Sequence, residues 1–319
     1  MRACTLALVT IKHPTWDPQS YFRAWEHVVH DWAGLEVELE NVRRVARNRQ
    51  LVWRGVHNDS YGLVSSSYRW LAAHDTRNPS EIRMRQLESE LLTSARTKWP
   101  DRGGSALETL AHIQHYGGPT RLIDVSHSAM IAVFFATEQK FDRDTHQPMP
   151  DEDGRLFIFQ SDGRNIELDG RWGSRELPWK DWEKEQNGWE TELPFVWNPP
   201  RALNERIAAQ EGAFLVGGIP SLPHGQNSRY RIPGSWQPGN MKTMPARDVR
   251  KVTSVSVFLK SLDRRTPAGS EAAYTLRIAA GAKPAIRKHL LEEYGLHHGS
   301  IYPDRFGLAT YGAELTALK

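Results

Sequence analysis

Eight consecutive apolar residues, Ala129-Met130-Ile131-Ala132-Val133-Phe134-Phe135-Ala136, follow two serines, Ser126 and Ser128, near the middle of the chain. Either serine is placed to cap a helix, and a helix that is apolar on every side belongs inside a core, not on a surface. Short apolar runs elsewhere are expected as strands: Gln50-Leu51-Val52-Trp53-Arg54, residues 120–125, Arg155-Leu156-Phe157-Ile158-Phe159, Ala213-Phe214-Leu215-Val216, the alternating stretch 252–259, and 274–279.

Helical spacing accounts for much of the rest. Phe22, Trp25, Val28, Val29, Trp32, Leu35, Leu39 and Val42 predict one helix over residues 20–45, with a break at Gly34. Ser80 caps and Pro100 stops a helix that carries Ile82, Met84, Leu87, Leu91, Leu92 and Ala95 on one face. A further helix over 105–116 ends at Gly117-Gly118-Pro119. Others are expected after Ser65-Ser66-Ser67, over 201–210, and over 283–294 with Pro284 in its first turn. Helices and strands alternate without a βαβ rhythm, which favours an α+β fold with a largely antiparallel or mixed sheet.

We expect a single domain over residues 1–319, with a helical N-terminal extension (1–48) and a core (49–319); no internal repeat or linker divides it. Residues 161–200 carry Trp172, Trp179, Trp182, Trp189 and Trp197 and read as an irregular insertion. The favoured reading is that these rings pin a long loop to the body; the alternative is a substrate-stacking surface. Residues 220–244 are loop-like, with Arg229, Tyr230 and Arg231 mixing charge and aromatic faces.

Composition excludes a disordered chain, since 39% of residues are hydrophobic and twelve are tryptophan. The single cysteine, Cys4, makes neither an internal disulfide nor a cysteine zinc cluster, which suits a reducing, cytoplasmic setting. The apolar start is too short for a signal peptide, and no run approaches the roughly 18 apolar residues of a membrane span. A net charge of +3 is a weak argument for nucleic acid.

Chemistry concentrates where strands end. Arg54 offers a planar fork for phosphate or carboxylate, and Gly55 lets a ring approach the main chain; Arg54 could equally well pair with Asp124. His112, His115 and Asp124 make a metal site conceivable, but that histidine spacing more often serves cap and core, and no metal is expected. Adjacent Ser126 and His127 cannot form a hydrolytic pair.

Trp53-Arg54-Gly55, the long stretch Gln114-His115-Tyr116-Gly117-Gly118-Pro119-Thr120-Arg121-Leu122-Ile123-Asp124, the apolar Ala132-Val133-Phe134-Phe135-Ala136, then Arg206-Ile207-Ala208-Ala209-Gln210-Glu211-Gly212-Ala213-Phe214 and Tyr302-Pro303-Asp304 together resemble the FRG domain family over about residues 50–310. FRG domains are in turn similar, more loosely, to the ADP-ribosyltransferase superfamily. That resemblance implies an ADP-ribosyltransferase-like split sheet, mixed or antiparallel, with surrounding helices. It also implies NAD as substrate and transfer of ADP-ribose to a nucleic acid base or a protein, as in a bacterial toxin or phage-defence effector; an antitoxin or an ADP-ribose hydrolase would be a fitting partner.

By the same resemblance Arg54, Ser126, Gln210 and Glu211 are the candidate catalytic residues. Arg54, Gly55, Tyr61, Tyr116, Thr120, Arg121 and Asp124 are the candidate NAD-binding residues. The third motif of the FRG pattern favours glutamine over acid, which leaves Gln210 or Glu211 as its functional residue. The other class of function is a non-catalytic nucleotide-binding or interaction module with the same fold.

Overall fold

The computed structural model describes residues 21–317 apart from 24, 48, 76–77, 100–103, 143, 183–188, 191–192, 221–228, 232–242 and 263–271. Expectations for residues 1–20 with Cys4, for Pro100 as a helix stop, and for most of 220–244 lie outside the described residues.

The stretch 20–45 is not one helix. His27–Val29 forms strand β1, and helix α1 (Trp32–Ala46) starts anew at Asp31, whose carboxylate accepts from Gly34 N at 2.7 Å. Val28 and Val29 fit a helical stripe by spacing, but β-branched side chains also suit a pleated strand, and here the pairing with a later strand wins. Gly34 sits in the first turn, where it breaks nothing. Leu35, Leu39 and Val42 then bury one face of α1.

The other elements follow in order: β2 (Leu51–Val56), α2 (Ser66–His74), α3 (Glu81–Lys98), α4 (Ala106–His115), β3 (Ile123–Ser126), α5 (Ala129–Thr137), β4 (Gly154–Gln160), β5 (Asn165–Ile166), β6 (Phe195–Trp197), α6 (Glu205–Ala209) and β7 (Gly212–Val216). After them come β8 (Arg229–Arg231), β9 (Thr243–Pro245), α7 (Ala246–Val252), β10 (Ala273–Ile278), α8 (Lys283–Tyr294), α9 (His298–Ile301) and α10 (Arg305–Ala317). Serine caps set four of the helix starts: Ser65 for α2, Ser80 for α3, Ser105 with Glu108 in a reciprocal capping box for α4, and Ser128 for α5. The predicted helix 201–210 is divided, because Asn204 is extended and caps only α6; a 3-10 turn, Arg201–Leu203, precedes it. The predicted strand 252–259 is instead the end of α7 and a coil, with single bridges at Thr253 and Leu259. Thr253 Oγ1 donates to Val255 O at 2.7 Å, a local turn that competes with a ladder.

Eight strands form one mixed sheet in the order β1-β10-β4-β2-β3-β7-β6-β5; β8 and β9 pair separately. Only β1 with β10 and β5 with β6 run parallel within it. One half of the sheet carries α1, α5 and α8 on the face of Trp53, Leu156, Ile158 and Leu276. On the other half α3, α4 and the 161–200 segment pack against Trp197, Phe214 and Val216.

Where the halves join, β2 and β3 pair at a single position, Trp53↔Ser126, although β2 pairs with β4 along its whole length. The sheet is therefore split beside Arg54.

Helix α5 is buried as its composition demands, and it lies directly on the sheet. A Cβ added at Gly55 would stand 1.9 Å from Ala132 O, and one at Gly154 would stand 2.1 Å from Ala136 O. Neither neighbour can yield, because both are helix backbone. Gly55→Ala should therefore cost at least the upper part of the roughly 1–3 kcal/mol typical of overpacking. Urea unfolding reads this as a lower midpoint at unchanged slope; an unaltered midpoint would contradict the close approach.

Among the described residues of 161–200, Trp172 is half-buried against the cluster of Trp197, Phe214 and Val216. Trp179, Trp182, Trp189 and Trp197 are all buried, so their faces serve the core and not a stacking surface.

Candidate functional site

The split between β2 and β3 opens into a cavity of about 340 Å³, walled by α4 on one side and by Phe135 of α5 on the other. Arg54, Gly55, Asp124, Ser126 and Gln210 all line it, so residues from β2, β3 and the end of α6 share one cavity.

Arg54 fills the place where ladder bonds between the strands are missing. Its Nη1 donates to the main-chain oxygen of Asp124 at 2.7 Å and lies 4.0 Å from Asp124 Oδ2, while Nε is buried and has no partner among the described residues. Burial pulls its pKa below the ordinary arginine value; Asp124 opposes this and Arg69 adds to it. The fork thus braces the split by its pairing with Asp124. Gly55 lines the cavity too, but the space a side chain would need is taken by α5, and packing is the first reason for the glycine.

Asp124 stands at the cavity edge with its side chain 66% exposed. Its Oδ1 accepts from Gln114 Nε2 at 2.7 Å, and Gln114 Oε1 accepts from the buried Thr120 hydroxyl. Thr120 therefore acts at one remove, by orienting Gln114. Ser126 donates its hydroxyl proton to Gln210 O at 2.7 Å and accepts from Ser128 N at 3.0 Å, which leaves it an acceptor lone pair and no proton to give. Gln210 Nε2 is tied to Ile301 O at 3.0 Å.

Several residues expected at the site lie elsewhere. Tyr61 is 48% exposed and meets His57 edge-on, and Tyr116 is 57% exposed against His115; neither lines the cavity. Arg121 is sealed between Glu81 and Glu88, because β3 turns it away from the split. Glu211 is exposed, with φ of +44°, and its main-chain oxygen accepts from His127 N, so the turn after α6 points the acid away while leaving Gln210 on the lining. His112, His115 and Asp124 line the cavity, yet among the described residues no three His, Cys, Asp or Glu side chains are grouped to hold a metal.

The far wall comes from residues to which sequence reasoning gave no role. Tyr302 lines the cavity, the Arg206 guanidinium lies 5.3 Å from its ring centre, and Arg206 Nη2 donates to Asp304 Oδ1 at 2.9 Å. Only their presence in the quoted motif stretches marked them. Behind Tyr302, buried Glu138 accepts from the hydroxyls of Tyr302 and Tyr311, each at 3.0 Å, and from Lys140 at 2.6 Å. Burial opposes its charge, but His298 and Lys140 outweigh burial and hold the carboxyl down at about 2.

Since the folded value lies below the ordinary one, this cluster stabilises the fold above about pH 4.5 and loses that contribution as pH falls toward 2. The difference in unfolding free energy between the wild type and Glu138→Gln should shrink from about 3 kcal/mol near neutral pH to near zero around pH 2. A difference independent of pH would contradict the ion cluster.

Among the described residues no helix is long and apolar enough to cross a membrane. Residues 49–145, from just before β2 to just past α5, match the family model of the FRG domain. Comparison with curated proteins and with solved structures found no match.

Proposed function

We propose that the chain is an NAD-consuming ADP-ribosyltransferase that modifies a nucleic acid base or a protein, acting in the cytoplasm as a toxin or phage-defence effector. The observation that carries this reading is the convergence of Arg54, Asp124, Ser126 and Gln210 on one cavity at the split of the sheet. A volume of about 340 Å³ is at the small end of the roughly 300–1,000 Å³ of ligand pockets, which suits the nicotinamide riboside half of the dinucleotide.

In the reaction the bond from ribose C1′ to the nicotinamide nitrogen breaks, and its electron pair leaves with neutral nicotinamide. The acceptor's lone pair forms the new bond to C1′, and the acceptor proton passes to water. Positive charge develops on the ribose between these events, and a carboxylate aimed at it lowers the barrier most. Among the described lining residues Asp124 is the one carboxylate, so Asp124 takes the role sought at Glu211. Arg54, whose side chain is in part open to the cavity, holds a phosphate through its guanidinium, and Ser126 and Gln210 shape the ring and ribose contacts.

The second reading, a nucleotide-binding module without turnover, draws support from the pairing of Asp124 Oδ1 with Gln114 and the commitment of the Ser126 proton. Both readings require NAD to bind. Incubating the full chain with NAD, in the presence of single-stranded oligonucleotides or a protein extract, separates them. The first expects nicotinamide release and a labelled acceptor. Saturable NAD binding without release would favour the second, and no binding at all would overturn both.

A further inference from the structure

Arg206, on α6, lines the cavity as Arg54 does. Its head is held on two sides: Nη2 donates to Asp304 Oδ1 at 2.9 Å with Nε 2.5 Å from Oδ2, and its carbon lies 5.3 Å from the ring centre of Tyr302. Tyr302 is fixed in turn by the buried carboxylate of Glu138, so the fork of Arg206 is oriented before any ligand arrives. Among the described residues Nη1 is the nitrogen of that fork that is neither paired nor sealed from solvent. Asp304 does not silence the charge. Burial first, and then Arg206, hold the lining His115 below the ordinary histidine pKa. A braced cation with an open donor edge suits a phosphate.

The rim beside this cation is aromatic and basic. Tyr116, next after His115, is 57% exposed with its ring edge-on to the imidazole. Arg201 is exposed in the 3-10 turn that runs into the lining residue Leu203. Asn204 joins the two helices: its Oδ1 accepts from Arg206 N at 2.8 Å and its amide donates to His115 Nδ1, which brings Tyr116 and Arg206 to the same side of the cavity. We propose that this side holds the acceptor of the transferred group, and that the acceptor is single-stranded nucleic acid, with a backbone phosphate on Arg206 and a base on Tyr116. Guanidinium groups beside exposed aromatic rings grip single strands without regard to sequence. A transferase holds two substrates side by side; Arg54 serves the phosphate of the dinucleotide, which leaves Arg206 for the acceptor. The role of the strand rests on the transferase reading, whereas its contacts rest on Arg206 and Tyr116 themselves.

Fluorescence anisotropy of the full chain with a labelled single strand of about eight nucleotides, as DNA and as RNA, tests this. Arg206→Gln and Tyr116→Ala should each weaken binding by about tenfold or more, as loss of a stacked base does elsewhere. Arg206→Gln should also lower the slope of log affinity against log salt by about 0.7, the share of one phosphate contact in a single strand, and Arg206→Lys should keep part of the affinity. NAD binding should match the wild type in all three, which also shows that they are folded; Tyr116→Ala, at an exposed position, decides if Arg206→Gln does not fold. Failure of the wild type to bind either strand, or affinity unaltered in both Arg206→Gln and Tyr116→Ala, overturns the acceptor site. So does weakened NAD binding with unaltered strand binding in Arg206→Gln, or NAD-dependent labelling of proteins in an extract with none of the strand. Strand binding that is lost in the variants, in a chain that does not bind NAD, would uphold a nucleic-acid site here and overturn the transferase reading instead.

Discussion

Arg121→Ala should destabilise the chain by about 3–5 kcal/mol, the range found when one partner of a buried ion pair is removed. Arg121 is 1% exposed and grips Glu88 with two parallel bonds, Nε to Oε1 at 2.6 Å and Nη2 to Oε2 at 2.7 Å. Its Nη1 donates to Glu81 Oε1 at 2.9 Å and to Gly217 O at 3.2 Å. The guanidinium carbon lies 4.5 Å from the ring centre of Trp179 and 5.2 Å from that of Trp189, and the two indole N–H groups donate to the same carboxylates. Burial works against the charge on Arg121, but the two acids together push its pKa above the ordinary arginine value. Removing the cation strands two carboxylates in the core. Since whole domains have only about 5–15 kcal/mol of stability, the loss is a large share of the total. Adding Glu81→Gln and Glu88→Gln to the alanine variant should recover part of it in urea unfolding; a loss below about 1 kcal/mol for Arg121→Ala alone would contradict the buried pairing.

The second large effect is expected at Arg54 and Asp124. Asp124→Asn preserves the shape and a hydrogen-bonding oxygen while removing the charge, so it should lower kcat by about 10²–10³ with little change in KM, the size seen when one group that stabilises transition-state charge is lost. Arg54→Ala should act on binding, raising the KM for NAD, and it also removes the brace across the split through Asp124 O. Arg54→Lys keeps the charge without the fork and should recover only part of the affinity. Nicotinamide release under saturating and limiting NAD separates the two effects. If Asp124→Asn matched the wild type, the carboxylate would have no part in the chemistry.

Elements whose signals are local were legible before the fold was known. Ser80, Ser105 and Ser128 cap the helices where expected, and β4, β7 and β10 lie within a residue or two of their apolar runs. Where one pattern fits two periods, the sequence is silent. Val28 and Val29 satisfy a helical stripe, yet β1 forms because β10, some 250 residues later, offers an edge. Burial of charge was also hidden. Ile82 was expected on the core face of α3 and is 54% exposed, while Glu81 and Glu88 face inward because their partner, Arg121, lies buried just before β3.

The site shows the same division. Residue type at strand ends pointed to Arg54 and Asp124, the motif resemblance added Ser126 and Gln210, and all four line one cavity. Which of two neighbours faces the cavity was not readable, because that depends on where a strand begins and how a turn twists. Starting β3 at Ile123 puts Asp124 on the cavity and Arg121 in the core, and the left-handed turn at Glu211 separates it from Gln210. Tyr302 closes the wall from about 90 residues beyond Gln210, a distance no local pattern spans.

The central claim is that the split between β2 and β3 holds the nicotinamide end of NAD. The most direct measurement is a crystal structure of the chain with an unreactive NAD analogue. The nicotinamide ring is expected between Trp53 and Phe135, with a phosphate oxygen on the Arg54 guanidinium and the ribose beside Asp124. An analogue bound elsewhere on the protein, with this cavity holding only water, would contradict it.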